Sequence, residues 1–399
     1  MKIAIISPGR MPVPPINGGA VETLINDFII ENSKNSNLDI DLYGCYNKYI
    51  ENLKVRNCKF ILIKNSKLVR IFRNILPQSL GKINKLINNI QDILYIRSVK
   101  QKILKYDHAY DCIIIENKPN FIKQIKGISN SKIILHLHNS HIKNFSADIF
   151  ESYDSIVTVS KYLKDELIDV HNDISTPVKV LSNCVSEEFF SKPRRNKELV
   201  KSEFGFEKKD FVVVFVGRIV EDKGVMELIK AMKLISNPYI KLMVIGASWF
   251  DSKEKTEYMK KLEEEAETIK TRITFTGYIR HEELADIEQI ADIVVLPSIW
   301  NEPFGLTIIE AMSLGKLVIT TNKGGIQEIF KGNDGVLIDI DNIEYTIAEE
   351  IIYYFNHSNE KEAIEKKALE TVNDFFSRTV YYNKFCEILN ELNPRRDSN

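Results

Sequence analysis

Short apolar runs recur along this chain, and helix-like stretches separate most of them. The first, KIAIIS, ends in Ser-Pro-Gly and reads as a buried strand followed by a loop. NGGAVETLINDFIIE then supplies a Gly-Gly turn and an amphipathic helix. The rhythm continues through NLDIDLYG, YDCIIIEN, SKIILHLHN, DSIVTVS and VKVLSN. It breaks at SEEFFSKPRRNKELVKSEFGFEKKD, a charged stretch holding Pro193, and restarts with FVVVFVG, KLMVIGA, RITFTGY, DIVVLPS, KLVITT and GVLIDI. Strands alternating with helices demand βαβ units and a parallel sheet covered on both faces. Two such rounds predict an α/β chain of two doubly wound, Rossmann-like domains facing a cleft. The expected division is an N-terminal domain over 1–190, a linker over 191–210 and a second domain over 211–375. A C-terminal helix and tail over 376–399 are expected to pack back on the first domain.

Bulk properties agree with this division. A chain of 399 residues exceeds what one core serves well. A 44% hydrophobic fraction fills ordered cores. A net charge of -1 predicts no nucleic-acid partner and leaves any basic patch local. The five cysteines are scattered, with no CxxC pair, which points to a reducing, cytoplasmic setting. MKIAIISPGR is broken too early by Pro8 and Gly9 to be expected as a secretory signal. No apolar run approaches the roughly 18 residues that a membrane-spanning helix needs.

In open parallel sheets, ligands bind beyond the carboxyl ends of the strands. The loops after the strands therefore hold the candidates. FVVVFVGRIVEDKGV sets Arg218 and Lys223 just past a strand end. A planar fork and a point charge suit a diphosphate, although Glu221 and Asp222 between them also allow a plain surface pair. In SIWNEPFGLTIIEAMSLGK, Gly305 opens a helix to about Leu314, and a helix start favours phosphate. Glu302 precedes that start and Glu310 lies within the helix, neither with a histidine adjacent in sequence. The two carboxylates could accept sugar hydroxyls, transfer protons, bind metal or stay solvated. The glycine-rich TNKGGIQEIF follows the next strand and could bring further N–H groups near.

In IILHLHNSH, His136 and His138 share one face of a strand. With His141 they have zinc-like spacing; the alternative is hydrogen-bonded histidines at a strand end. Gly18 and Gly19 either let the first loop approach a ligand or form an ordinary turn. Residues 64–105 are basic, with Asp92 the sole acid, and carry apolar residues at helical spacing (Leu86, Ile90, Ile93, Leu94, Ile96). They read as packed helices or as a surface for an anionic membrane. Asp39-Ile-Asp41 and Asp339-Ile-Asp341 are alternate acids beside strands and are assigned no metal.

Glu302-Pro-Phe-Gly-Leu-Thr-Ile-Ile-Glu310 resembles the E-x7-E motif of retaining glycosyltransferases of family 4, which have the GT-B fold. GRIVEDKG resembles that family's donor-phosphate motif. ADIVVLPS, EAMSLGKLVITTNKGGIQEI, TVSKYLKDEL, VLSNCVSEEFF and NGGAVETLI resemble its other segments, so the likeness covers nearly the whole chain. Two segments depart: Asn183-Cys184-Val185-Ser186 stands where members often have Asn-Gly-Val-Asp, and Ile115-Glu116-Asn117 lacks a common following histidine.

The resemblance implies a glycosyltransferase; the cysteines place it in the cytoplasm, and the basic stretch over 64–105 allows a peripheral position on the inner face of the membrane. It implies transfer from a nucleotide diphosphate sugar, UDP-sugar by the family's commonest usage, to a glycan or lipid-linked acceptor in cell-surface polysaccharide or lipopolysaccharide synthesis. Arg218 and Lys223 would hold the diphosphate, Glu310 the ribose and Glu302 the donor sugar. Phe304, Gly305, Leu306 and Thr307 would surround sugar and phosphate with backbone. The base would lie near Gly246, Tyr278 and Ile279, and Gly18 and Gly19 would approach the donor. His138 would face the transferred sugar. No metal and no cofactor are implied. A GT-B sugar-nucleotide epimerase and a non-catalytic nucleotide-sugar binder remain compatible. A dinucleotide oxidoreductase does not, because SPGRMPVPPINGGA lacks GxGxxG.

Overall fold

A computed structural model describes residues 1–16, 18–64, 81–106, 110–128, 130–172, 174–191, 193–247 and 256–393. Of the basic stretch, 65–80 lie outside the described residues, as do 394–399 of the expected tail. The chain forms two units: Met1–Ser182 with Tyr381–Asn399, and Asn183–Val380. Residues 191–210 fall in the second unit and include a short helix, Lys197–Glu203.

The first unit is built on seven parallel strands: β1 (Lys2–Ile6), β2 (Asp39–Cys45), β3 (Cys58–Ile63), β4 (Cys112–Glu116), β5 (Lys132–Leu137), β6 (Ser155–Thr158) and β7 (Val178–Val180). Their order is β3-β2-β1-β4-β5-β6-β7. The central strands are continuous apolar runs because both of their faces are covered; Ile3, Ile6 and Ile113–Ile115 are fully buried. The strand order reverses between β1 and β4. The loops after those two strands therefore diverge and leave a crevice at the carboxyl edge.

Two helices of this unit matter below, Ala20–Asn35 and Gly81–Tyr106. From Tyr381 onward the C-terminal helix Arg378–Leu392 belongs here too. Phe28 meets Tyr382 and Phe385 at ring distances of 5.3 and 5.1 Å. The Tyr382 hydroxyl donates to Asn32 at 2.8 Å.

The second unit holds six parallel strands: β8 (Phe211–Val216), β9 (Ile240–Ile245), β10 (Ile273–Gly277), β11 (Ile293–Leu296), β12 (Leu317–Thr321) and β13 (Val336–Ile338). Their order is β10-β9-β8-β11-β12-β13, so the reversal falls between β8 and β11. The loop with Arg218 and Lys223 follows β8, and the loop with Glu302 follows β11. The fold alone brings them together. No helix among the described residues is long and apolar enough to cross a membrane.

Candidate active site

In the second unit the β8 and β11 loops touch through backbone. Gly224 has φ +70, and a Cβ there would collide with the Pro297 carbonyl. Lys223 pairs its ammonium with the Glu302 carboxylate. Ser298 Oγ donates to the same Glu302 oxygen at 2.8 Å, and Lys223 lies 6.0 Å from the Trp300 ring centroid. Arg218 is exposed and makes no ion pair among the described residues. The cation expected on phosphate and the acid expected on sugar are thus partners of each other, while Arg218 keeps its full charge to offer.

Glu302 is also tied through its backbone. Gly325 N donates to its carbonyl at 2.7 Å, and Gly324, at φ +59, lies too close to Glu302 backbone for any side chain. The glycine-rich turn after β12 is thereby folded onto this loop. Gly305 (φ 126) then starts the helix Leu306–Ser313. The first-turn N–H groups of Leu306 and Thr307 have no partner within the helix ladder. Phe304 is buried and meets Phe376 edge-on at 5.8 Å, so its side chain serves the core and only its backbone faces the loop chemistry.

Glu310 sits one turn into this helix and is 8% exposed. His281 Nε2 lies 2.9 Å from its Oε1. Sequence reading found no histidine beside either acid. His281 comes from the segment after β10, and no local pattern announces a contact between separate elements. Behind them Glu288 is fully buried with neither carboxylate oxygen hydrogen-bonded. Burial first, and then the charge of Glu310, push its carboxyl up to about 8.

Gly246 ends β9 at φ 143, where a Cβ would collide with the Gly217 carbonyl. Its N–H donates to Gly277 O at 3.0 Å. Tyr278 and Ile279 follow β10, both half-buried. The ends of β8, β9 and β10 are thus clipped side by side. A cavity of about 620 Å³ lined by Lys233, Lys241 and Arg272 opens instead at the amino end of β9, away from these residues.

In the first unit, Gly18 (φ 82) and Gly19 (φ 118) lead into the helix Ala20–Asn35. Glu22 in its first turn is buried and pushed up to about 7, chiefly by burial and further by the charge of Glu116. On β4 and β5, Glu116 pairs in register with His136. Glu116 Oε2 lies 2.9 Å from His138 Nε2 and 3.1 Å from His136 Nδ1. Burial would raise the Glu116 carboxyl, but proximity to His136 and the two imidazole bonds outweigh it and hold it at about 2. His138 is pushed down to about 4, mainly by burial.

These three residues offer ligand atoms within 4.8 Å of one another. Tetrahedral ligands of zinc stand roughly 3.3 Å apart, so the 2.9 Å contact of His138 with Glu116 reads as a direct hydrogen bond. His141, the third ligand that the metal alternative required, is exposed on a separate turn, His141–Asn144, and the third member of the cluster is Glu116.

The helix Gly81–Tyr106 buries Ile87, Tyr95, Ile96, Val99 and Ile103. Its other side exposes Leu86 (59%), Ile90 (43%) and Ile93 (46%), with Ile83 and Leu94. Ile96, expected in that stripe, belongs to the packed face. Exposed Lys85, Arg97 and Lys105 share the same helix.

Residues 196–371 match the family of glycosyl transferases group 1. The chain is 25% identical over 394 residues to the putative glycosyltransferase YtcC of Bacillus subtilis (strain 168), covering 95% of this chain and 89% of that protein. It is 29% identical over 242 residues to the lipopolysaccharide 1,2-N-acetylglucosaminetransferase of Salmonella typhimurium, covering 58% and 60%. The crystal structure of Anabaena HepE in complex with UDP and glucose superposes with a TM-score of 0.73 at 19% identity, covering 98% of this chain and 99% of that one.

Proposed function

We propose that this chain, an enzyme of the glycosyltransferase class with the GT-B fold, is a retaining family 4 transferase that moves a sugar from a UDP-sugar to a hydroxyl of a glycan or lipid-linked acceptor. The observation that carries this reading is the convergence of Arg218, Lys223, Glu302 and the helix start at Gly305 on one strand-order reversal, with Glu310 one turn further on. Donor binding exchanges partners: Lys223 turns from Glu302 to the diphosphate, and Glu302 takes sugar hydroxyls while Ser298 keeps it oriented. Arg218 joins Lys223 on the phosphates. Glu310 accepts the ribose hydroxyls. Backbone at Gly246, Tyr278 and Ile279 receives the base, and that of Phe304, Gly305, Leu306 and Thr307 surrounds sugar and phosphate. Gly18 and Gly19 let the first loop approach the donor, and His138 faces the transferred sugar.

In the reaction the bond from the anomeric carbon to the phosphate oxygen breaks. The acceptor oxygen bonds that carbon on the same face, and the acceptor proton passes to the leaving phosphate. The transition state has oxocarbenium character. Charge grows on the diphosphate, where fixed cations and helix-start N–H groups stabilise it most. The HepE complex with UDP favours uridine, and the lipopolysaccharide relative favours a cell-surface glycan acceptor. The exposed apolar stripe beside Lys85, Arg97 and Lys105 fits a cytoplasmic enzyme resting on an anionic membrane face.

Saturation-transfer NMR of the full chain against UDP-, GDP- and ADP-sugars tests this, followed over hours for slow hydrolysis. Binding of UDP-sugars, with release of sugar in the retained anomeric form, is expected. Inverted sugar would sink the retaining mechanism. Interconversion of the free donor would turn the reading to an epimerase.

A further inference from the structure

Glu116 has no part in donor binding as set out above, yet it is one of the most enclosed acids of the first unit. It ends β4 directly beside His136 on β5, and His138 follows two residues later. The strand ends are pinned around it. Asn117 adopts φ +52, donates its N–H to the His136 carbonyl at 2.8 Å and accepts the His138 N–H on its side chain at 3.1 Å. The two imidazoles are held 4.1 Å apart, with Phe385 5.3 Å from the His136 ring.

The carboxylate faces a nitrogen of each ring: Oε2 lies 2.9 Å from His138 Nε2, and the His136 Nδ1 hydrogen bond reaches Oε1 at 3.4 Å although Oε2 is nearer at 3.1 Å. An ionised carboxylate only accepts hydrogen bonds, so each nitrogen that faces it carries a proton. For His138 that nitrogen is Nε2. A neutral imidazole has a single N–H, so its Nδ1 is left as a lone pair. Among the described residues nothing bonds Nδ1, and the side chain keeps 6% of its surface exposed.

We propose that Glu116 is the positioning residue of His138: it fixes the ring and selects the Nε2–H tautomer, so that Nδ1 is presented as a hydrogen-bond acceptor for a sugar hydroxyl. This rests on the reading of His138 as the sugar-facing histidine. It makes His138 an acceptor of a hydroxyl hydrogen, with no proton of its own to give at Nδ1. His136 is the second donor that keeps the carboxylate in place.

The test is ¹⁵N-histidine NMR of the full chain, with the His138→Gln spectrum for assignment, beside steady-state kinetics of three variants. At neutral pH the His138 ring is expected to carry its proton on Nε2 with a bare Nδ1. Glu116→Ala is expected to lower kcat on the order of 10²-fold with donor KM unchanged, and Glu116→Gln, whose amide oxygen still accepts from Nε2–H, is expected to lower it less. Glu116→Ala should also mix the two tautomers. A proton on Nδ1 in the wild-type protein overturns the proposal, and this measurement stands even if the Glu116 variants fail to fold. Wild-type kcat in both Glu116 variants, with His138→Ala inactive, overturns it as well. Wild-type turnover in His138→Ala would remove the underlying role of His138 instead.

Discussion

Glu288 concentrates the cost of burying acids beneath the candidate site. It is fully buried, its oxygens are unpartnered, and Glu310, Lys316 and His281 are the charged or titratable groups that act on it. Its folded value, about 8, stands above its ordinary 4.5. The folded state therefore keeps a proton that the unfolded state loses as pH climbs past 4.5. Stability falls from there to about 8 and then levels. Glu288→Gln removes that slope. Relative to wild type its melting temperature should rise progressively between pH 5 and 8, with a gain on the order of 3 kcal/mol at pH 7. Parallel pH profiles of the two proteins would contradict this.

The two cations of the β8 loop should separate in the same kind of measurement. Arg218→Met removes an exposed charge with no ion pair among the described residues and should change stability by less than about 0.5 kcal/mol while abolishing the stabilisation expected from UDP. Lys223→Met leaves the Glu302 carboxylate, 8% exposed, without its cation and should cost about 1–3 kcal/mol before any ligand is added. Thermal unfolding with and without UDP checks both. Arg218, Lys223, Glu302 and Glu310 could be singled out in the sequence because their segments follow apolar runs read as strands, and their expected roles came from the family resemblance. His281, Glu288, Glu116 and Glu22 were not, because their partners arrive from other elements.

Among elements, the strand-end loops depend on glycine where backbone meets backbone. Gly205 has φ +81 with nothing within 4 Å of a would-be Cβ, so Gly205→Ala meets only the left-handed penalty of about 1–2 kcal/mol. Gly246→Ala adds a collision with the Gly217 carbonyl, which cannot yield without parting β8 from β9. Its loss of stability should clearly exceed that of Gly205→Ala, and donor binding should weaken with it. Equal melting temperatures for the two would refute the close approach. The central strands were plain in sequence as continuous apolar runs, whereas β3 was not read, because as an edge strand it is only partly buried and carries exposed Lys59. The helix Gly81–Tyr106 was harder to orient because both of its sides carry apolar residues. Periodicity grouped Ile96 with Leu86, Ile90, Ile93 and Leu94, yet Ile96 packs inward while those four are exposed. If the exposed side docks on lipid, Leu86→Ser with Ile90→Ser should leave the melting temperature unchanged and abolish co-sedimentation with anionic vesicles. Wild-type binding should weaken with salt. Equal binding of the wild type to neutral vesicles would remove the membrane role.

At the scale of the whole molecule, the chain leaves the first unit at Ser182 and rejoins it at Tyr381. The first unit is thus completed by a segment far along the chain from its other residues. The aromatic anchors of that return, Tyr382 and Phe385, are fully buried against Phe28, and Phe385 also touches the His136 ring. Lys179 pairs with Glu391, and Asn393 donates to the Asp111 carbonyl, so the return is held along its length. The helical pattern of this segment and its return to the first domain were expected from the sequence; the particular partner, Phe28, was not, because it lies hundreds of residues away and no spacing rule links them. Phe385→Ala should cost roughly 3–5 kcal/mol, the usual result of emptying a buried phenyl site. That loss should fall on the first unit. Both tryptophans, Trp249 and Trp300, lie in the second unit's span, so tryptophan fluorescence follows that unit while far-UV circular dichroism follows both. In urea, Phe385→Ala should bring forward part of the dichroism change and leave the fluorescence midpoint in place. A common shift of both signals would show instead that the units unfold as one, and the stability of the site would then belong to the entire chain.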